Sequence, residues 1–387
     1  MGGYFSSQKE TQFKSDAQRA MEDGTFCVIC GGPFDLEGEI YDIDPKDPHF
    51  QWLHRLRLLG SVKDVASHVL ASDGFLPSNT SDLDCVFLSE PAFFSLTGSG
   101  YFHVSEHTDE DDFIVDTLHY EPAHGTLFPL HDACIEISCR VIDRHQSTHK
   151  NSDRKPALSI LTRLLNGCFT ERNERSEFHG TVNDIFDLSF CSPAYGPRSV
   201  LALGRLEWWG GAYNRFYTNP IEKVDTATFV KSVLQSSPRS RDEPDFTLVP
   251  SSKPQKLECL PRELLDTICS HLPIPSVIAL HRTSKALALQ IPLDSAFWRN
   301  SLGDGSLHPH IWDLDTRCIE QHLPQPNIAP LDPTASWDWK STAKLLAMKR
   351  FPISGCDDRL VDVPNGFWNR CRIWSTIEEA LQQQELG

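Results

Sequence analysis

Between Ser236 and Lys256 the chain reads SSPRSRDEPDFTLVPSSKPQK, a run rich in serine, proline and charge. Such a composition favours extended and turning backbone over packed helix or strand, so the segment reads as a linker. It divides a chain of 387 residues, too long for one ordinary compact domain and suited to two or three. On its N-terminal side, residues 1–22 are polar with little periodicity and read as a flexible tail, and residues 23–235 mix strand-like with helix-like patterns. On its C-terminal side, residues 257–302 change character into short amphipathic helices. Residues 303–387 hold five of the nine tryptophans: Trp312, Trp337, Trp339, Trp368 and Trp374. Large aromatics need burial, so this Trp-rich segment, mainly helical or irregular, is expected to pack on the other domains.

Within 23–235, Leu53, Leu56, Leu59 and Val62, continued by Val65, Val69 and Leu70, recur near helical spacing and suggest a helix, with Gly60 or Ser61 placed to break the run. Phe113-Ile114-Val115 and Leu127-Phe128-Pro129-Leu130 predict short strands. Cys134–Val141, with Ile135, Ile137 and Val141 apolar, and Ala157–Leu165 predict helices, and a short apolar run follows at Val200–Leu203. Mixed elements without a regular β-α alternation point to an α+β domain.

The same region carries Cys27-Val28-Ile29-Cys30-Gly31-Gly32. Two thiolates at i and i+3, with glycines after them, let backbone N–H groups turn towards sulfur, as in a zinc knuckle. A second pair, His131-Asp132-Ala133-Cys134, lies where a helix is predicted to start, so that an imidazole and a thiolate share one face. Cys27, Cys30, His131 and Cys134 make a tetrahedral ligand set of the closed type expected of one structural zinc. The set resembles the treble-clef type of zinc module, in which a knuckle and a helix N-terminus each contribute a pair. About 100 residues separate the pairs, against the ~12–20 of compact fingers, so a long insertion would stand between them. Unpaired buried thiols and a redox dithiol are the other readings, although no thioredoxin-like βαβ pattern surrounds the C-x-x-C. A metal here would tie the N-terminal segment to the domain core without catalysis.

Beyond the linker, Leu260-Pro261-Arg262-Glu263-Leu264-Leu265 starts a helix on physical grounds. Proline suits a first helical position, and Glu263 suits the positive end of the helix dipole. Leu264, Leu265, Ile268 and Leu272 form one apolar stripe, Pro273 and Pro275 stop the helix, and Ser276 is placed to cap the next, with Val277 and Leu280 inward. Thr283-Ser284-Lys285 closes that helix, Ala286–Leu289 prolongs the helical pattern, and Phe297-Trp298 supplies a bulky pair.

In this order and spacing the segment resembles the F-box family. The likeness covers roughly 46 of the 387 residues. It implies an all-α F-box of three short helices that docks on a Skp-type adaptor and, through it, a cullin scaffold, while another part of the chain presents a protein substrate for ubiquitin transfer. By position, Leu260, Pro261, Leu264, Leu265 and Ile268 of the first helix would meet the adaptor, with Val277, Leu280, Thr283, Ser284 and Lys285 of the second. So short a unit cannot bury a self-sufficient core, and a leftover apolar stripe invites a partner. A helical hairpin with no adaptor is the alternative. Longer stretches are similar to F-box proteins of filamentous fungi: Phe26-Cys-Val-Ile-Cys-Gly, Leu130-His-Asp-Ala-Cys and Phe367-Trp-Asn-Arg-Cys-Arg-Ile-Trp.

Other classes find less support. The chain is acidic, 53 Asp and Glu against 36 Lys and Arg for a formal charge of −17, which disfavours nucleic acid and anionic membrane as partners. No window approaches ~18 uninterrupted apolar residues, so no transmembrane span is expected. Twelve scattered cysteines suggest a reducing compartment, cytosol or nucleus. Met1-Gly2-Gly3-Tyr4-Phe5-Ser6 fits the short pattern for myristoylation of Gly2, beside the plain reading of a disordered tail. The acidic stretch from Glu106 to Asp112 reads as a solvated loop, and His103, His107, His119, His124, His145 and His149 as surface residues. No phosphate-binding glycine loop is present, and Trp208-Trp209 between glycines reads as aromatic packing. The expectation is therefore a non-enzymatic receptor subunit of an SCF-type ubiquitin ligase. The rival is a zinc-stabilised protein-interaction module without that role.

Overall fold

A computed structural model of the chain describes residues 27–32, 34, 46–61, 86–95, 101–105, 112–115, 127–148, 155–175, 218–222, 224–236, 240–241, 256–323, 335–347 and 362–386. Gly2, residues 62–70, the run at 106–111, residues 200–203 and the Trp208-Trp209 pair lie outside them. In chain order the strands are β1 Leu56–Ser61, β2 Val86–Leu88, β3 Ala92–Ser95, β4 Tyr101–Ser105, β5 Asp112–Val115 and β6 Phe128–His131. Helices α1 Asp132–Thr148, α2 Ala157–Arg175 and α3 Thr226–Ser236 follow, then strand β7 Ser240–Arg241. Next come α4 Arg262–Ser270, α5 Ile274–Thr283, α6 Lys285–Gln290, α7 Ser295–Gly303 and α8 Thr316–Gln321. Strand β8 Ala335–Ser336, α9 Trp339–Leu346 and α10 Asn365–Leu386 complete the order. An antiparallel sheet is thus followed by mainly helical segments.

Contacts divide the chain into two units, Met1–Val224 with Lys349–Gly355 and Asn365–Gly387, and Asp225–Met348 with Cys356–Pro364. In the first unit the sheet runs β2-β1-β3-β4-β5, with β6 also paired to β1. β1 replaces the helix expected from Leu53, Leu56 and Leu59. Leu56, Leu58, Leu59 and Gly60 are all buried, in a strand paired to β2 and β3 along one edge and β6 along the other and packed against α2. A strand with both faces covered reads as a continuous apolar run, and three leucines in such a run fall by coincidence at helical spacing. Among the described residues there, only Gln51–His54, a single 3₁₀ turn, is helical. The strands expected at 113–115 and 127–130 and the helices expected at 134–141 and 157–165 are present as β5, β6, α1 and α2.

α1 packs against α2, and α10 packs on both. From Gly366 to Ile377 every residue of α10 is buried, so this is a helix covered on all sides, with Phe367, Trp368 and Trp374 among the core residues. Its first turn approaches the chain closely: a Cβ on Gly366 would stand 2.3 Å from the Asn219 carbonyl oxygen. Asn369 and Arg370 continue that contact, donating to the Thr218 carbonyl at 2.8 Å and the Pro220 carbonyl at 2.7 Å. The Trp-rich segment 303–387 is consequently not one packing unit. Trp368 and Trp374 serve the first unit, and Trp312, Trp337 and Trp339 belong to the second.

In the second unit, α4 to α7 occupy the segment 257–302 and its margin: four short helices where three were expected. The additional start has a local cause. Ser284 Oγ accepts from Leu287 N–H and caps α6, and Asp294 Oδ1 accepts from Phe297 N–H and caps α7. Pro261 sits at the N-cap of α4 and Pro273 at that of α5, so Ser276 lies inside α5 and does not cap it. Leu265, Val277, Leu287 and Ile291 form a small closed core, with Leu260, Cys269, Leu272, Leu280, Leu293 and Phe297 packed around it. α7 continues into contact with α8 and α9, which α3 also touches. Ser240 and Arg241, within the expected linker, pair antiparallel with β8.

Candidate functional site

The knuckle is built by its own backbone. Cys27 N–H donates to the Gly32 carbonyl at 2.8 Å and Gly31 N–H to the Cys27 carbonyl at 2.7 Å, which closes a tight loop. Gly31 has φ +67°, in the left-handed region that glycine enters without steric cost. Gly32 N–H then donates to Cys30 Sγ at 3.2 Å, the N–H-to-sulfur contact that a C-x-x-C-G-G sequence predicts. On the other side, β6 delivers His131 at its last position and α1 begins at Asp132, so Cys134 stands in the first turn of α1. Register is held by Arg57, whose Nε donates to Asp132 Oδ1 at 3.1 Å, and by Asp132 N–H, which donates to the Arg55 carbonyl at 2.9 Å.

The sheet and α1 thereby bring together the two pairs that lie so far apart in sequence. The ligand atoms of Cys27, Cys30, His131 and Cys134 all lie within 4.8 Å of one another, and all four residues are fully buried. None of the three cysteines is in a disulfide. His131 turns Nδ1 to the cluster, 3.3 Å from Cys30 Sγ. Its Nε2 is buried without a hydrogen-bond partner among the described residues, and its ring lies against Phe34 and Trp52, at 4.9 and 5.0 Å between centroids.

The buried groups perturb one another strongly. Burial pushes the Cys27 thiol up, but hydrogen bonds with Cys134 and Cys30 and the neighbouring His131 outweigh it and hold Cys27 well below the usual thiol value. Burial pushes the His131 imidazole down, yet the adjacent Cys30 and Cys27 sulfurs raise it to about 10. Cys134 is pushed up by burial and by its proximity to Cys27 and Cys30. The shifts of Cys27, His131 and Cys134 reflect protons that a metal ion would replace. Three sulfurs and one nitrogen, fully enclosed, form a set that could hold a metal ion.

The residues expected to face an adaptor are distributed differently. Leu265 and Val277 are buried in the core of their own helical cluster, so neither is available to a partner surface. Pro261, Thr283 and Lys285 are exposed, Leu264 is 51% exposed, and Leu260, Ile268, Leu280 and Ser284 are partly buried. Leu257 and Leu289 are also large exposed apolar side chains.

Sequence reasoning missed Arg372. Its guanidinium donates to the Cys30 carbonyl, 342 positions away along the chain, and through NH2 to Asn369 Oδ1 at 2.7 Å. It is 4% exposed and Arg370 is fully buried. Two arginines inside the aromatic-rich run Phe367–Trp374 were the only local sign of them. His103, expected at the surface, is half-buried and stacks on Phe93 at 4.9 Å. Among the described residues no helix is long and apolar enough to cross a membrane. Comparison of the chain with protein-family models, with curated proteins and with solved structures finds no match.

Proposed function

We propose that this chain is a substrate-receptor subunit of an SCF-type ubiquitin ligase that binds a Skp-type adaptor, and through it a cullin, with its α4–α6 cluster. The observation that carries the reading is Leu264. It stands half exposed beside exposed Pro261 in the run Leu260-Pro261-Arg262-Glu263-Leu264-Leu265, while the next residue, Leu265, closes the core beneath. An apolar side chain held out from a finished core suits a partner surface. On this reading the protein performs no chemistry. It acts by positioning, raising the effective concentration of a substrate lysine near a charged conjugating enzyme in the cytosol or nucleus.

The buried Cys27, Cys30, His131 and Cys134 set is, in the same proposal, a structural zinc site. Mixed sulfur and nitrogen ligation with four protein ligands suits zinc above harder cations. Cys30 and Cys27 hold the knuckle, and His131 and Cys134 hold it to the β6–α1 junction.

The decisive experiment is co-expression of the full chain with a Skp-type adaptor, beside Leu260→Ala/Pro261→Ala and Leu264→Ala versions. Binding that is lost in both variants, with their folding intact, supports the ligase reading. A folded wild type that does not bind overturns it and leaves a zinc-stabilised interaction module.

A further inference from the structure

We infer that Arg372 supplies the counter-charge of the metal centre and thereby couples metal occupancy to the seating of α10. The inference rests on the metal reading above. Three thiolates and a neutral imidazole around a dication leave a net single negative charge. All four ligands are fully buried, and a charge so placed is costly unless a compensating cation or hydrogen bonds reach it. The Arg372 guanidinium is the cation placed beside it: buried, it donates to the backbone carbonyl of Cys30, the residue of a ligand sulfur.

The approach is fixed from both sides. Asn369 accepts from Arg372 NH2 at 2.7 Å and itself donates to the Thr218 carbonyl at 2.8 Å, which orients the guanidinium towards the knuckle. On the knuckle, the Cys30 residue accepts twice: its carbonyl from Arg372, its sulfur from Gly32 N–H at 3.2 Å. Arg372 is therefore a positioning and charge-balancing residue for Cys30, acting on the metal through that ligand. Arg370, equally buried two positions earlier, donates to the Pro220 carbonyl at 2.7 Å instead and provides an internal control on the same helix. Coupling free energies are reciprocal: if Arg372 on α10 strengthens metal binding, metal binding must stabilise the docked state of α10 by the same amount.

The test uses the full chain in zinc-loaded and cobalt-loaded forms. In chelator competition Arg372→Gln should weaken zinc binding by about 10–100-fold, Arg370→Gln by much less, and Arg372→Lys should recover most of the loss. In the cobalt form, Arg372→Gln should shift the thiolate-to-cobalt charge-transfer absorption and Arg370→Gln should leave it in place. Equal zinc losses in the two glutamine variants with unmoved cobalt bands would reduce Arg372 to a packing residue and overturn the inference. A third measurement needs no substitution, in case the variants do not fold. In the wild type, removing zinc should speed amide hydrogen exchange along residues 366–381, and exchange that ignores zinc overturns the coupling. A folded wild type that takes up neither zinc nor cobalt is a separate result, because it overturns the metal reading itself.

Discussion

A methyl group on Gly32 would stand 2.9 Å from Leu53 Cδ2, 3.1 Å from Cys30 Sγ and 3.2 Å from His131 Cε1. Leu53 and His131 are fully buried and have little room to retreat. Gly32→Ala should therefore destabilise the first unit by about 1–3 kcal/mol in chemical denaturation and weaken zinc binding with it. Cys30→Ser should lose the ion outright in metal analysis. The proton balance adds a pH dependence whose sign is set by the same residues. Without metal, His131 keeps its proton up to about pH 10 and Cys134 resists ionising, so loading must expel protons from both. Zinc affinity should fall as pH is lowered, and calorimetry in buffers of different ionisation heat should detect proton release on zinc uptake. An affinity flat between about pH 8 and about pH 6 would contradict that.

At the scale of elements, adjacent leucines make opposite predictions. Leu265 is fully buried in the α4–α6 core, and Leu265→Ala should cost about 2–5 kcal/mol of stability in that cluster. Leu264, 51% exposed, should leave stability within about 0.5 kcal/mol when cut to alanine while adaptor capture is lost. Thermal melts and pull-downs on the two variants read this directly. Helices α4 and α5 were legible because their signals are local, prolines at helix starts and a leucine stripe, whereas the cap was misplaced: Ser276 lies inside α5 and Ser284 caps α6. The knuckle was legible for the same reason, as Cys27, Cys30 and the two glycines act within six residues of one another. β1 was not, because whether Leu56, Leu58 and Leu59 line a helix face or a strand covered on both sides depends on strands that arrive from elsewhere. Arg372 was hidden in the same way: nothing near it in sequence says that its guanidinium meets Cys30.

For the whole molecule, the first unit is discontinuous: it takes α10 from the far end of the sequence and places it against α1 and α2. A chain ended after Pro364 should then fail to hold zinc, even though all four ligands are still present. Metal analysis of that truncated protein checks the expectation, and full zinc retention would show that α10 contributes nothing to the site. Gly366→Ala should act as a milder form of the same lesion, since its methyl would collide with the Asn219 carbonyl at the first turn of α10.

That arrangement also imposes an order of events during synthesis. Cys27 and Cys30 leave the ribosome more than three hundred residues ahead of Arg372, so the knuckle is made long before the helix that reaches it. The second unit, drawn mostly from Asp225–Met348, emerges before the helix that closes the first. Nascent chains stalled before α10 should therefore leave the three thiols more open to alkylating reagents, and emergence of α10 should protect them.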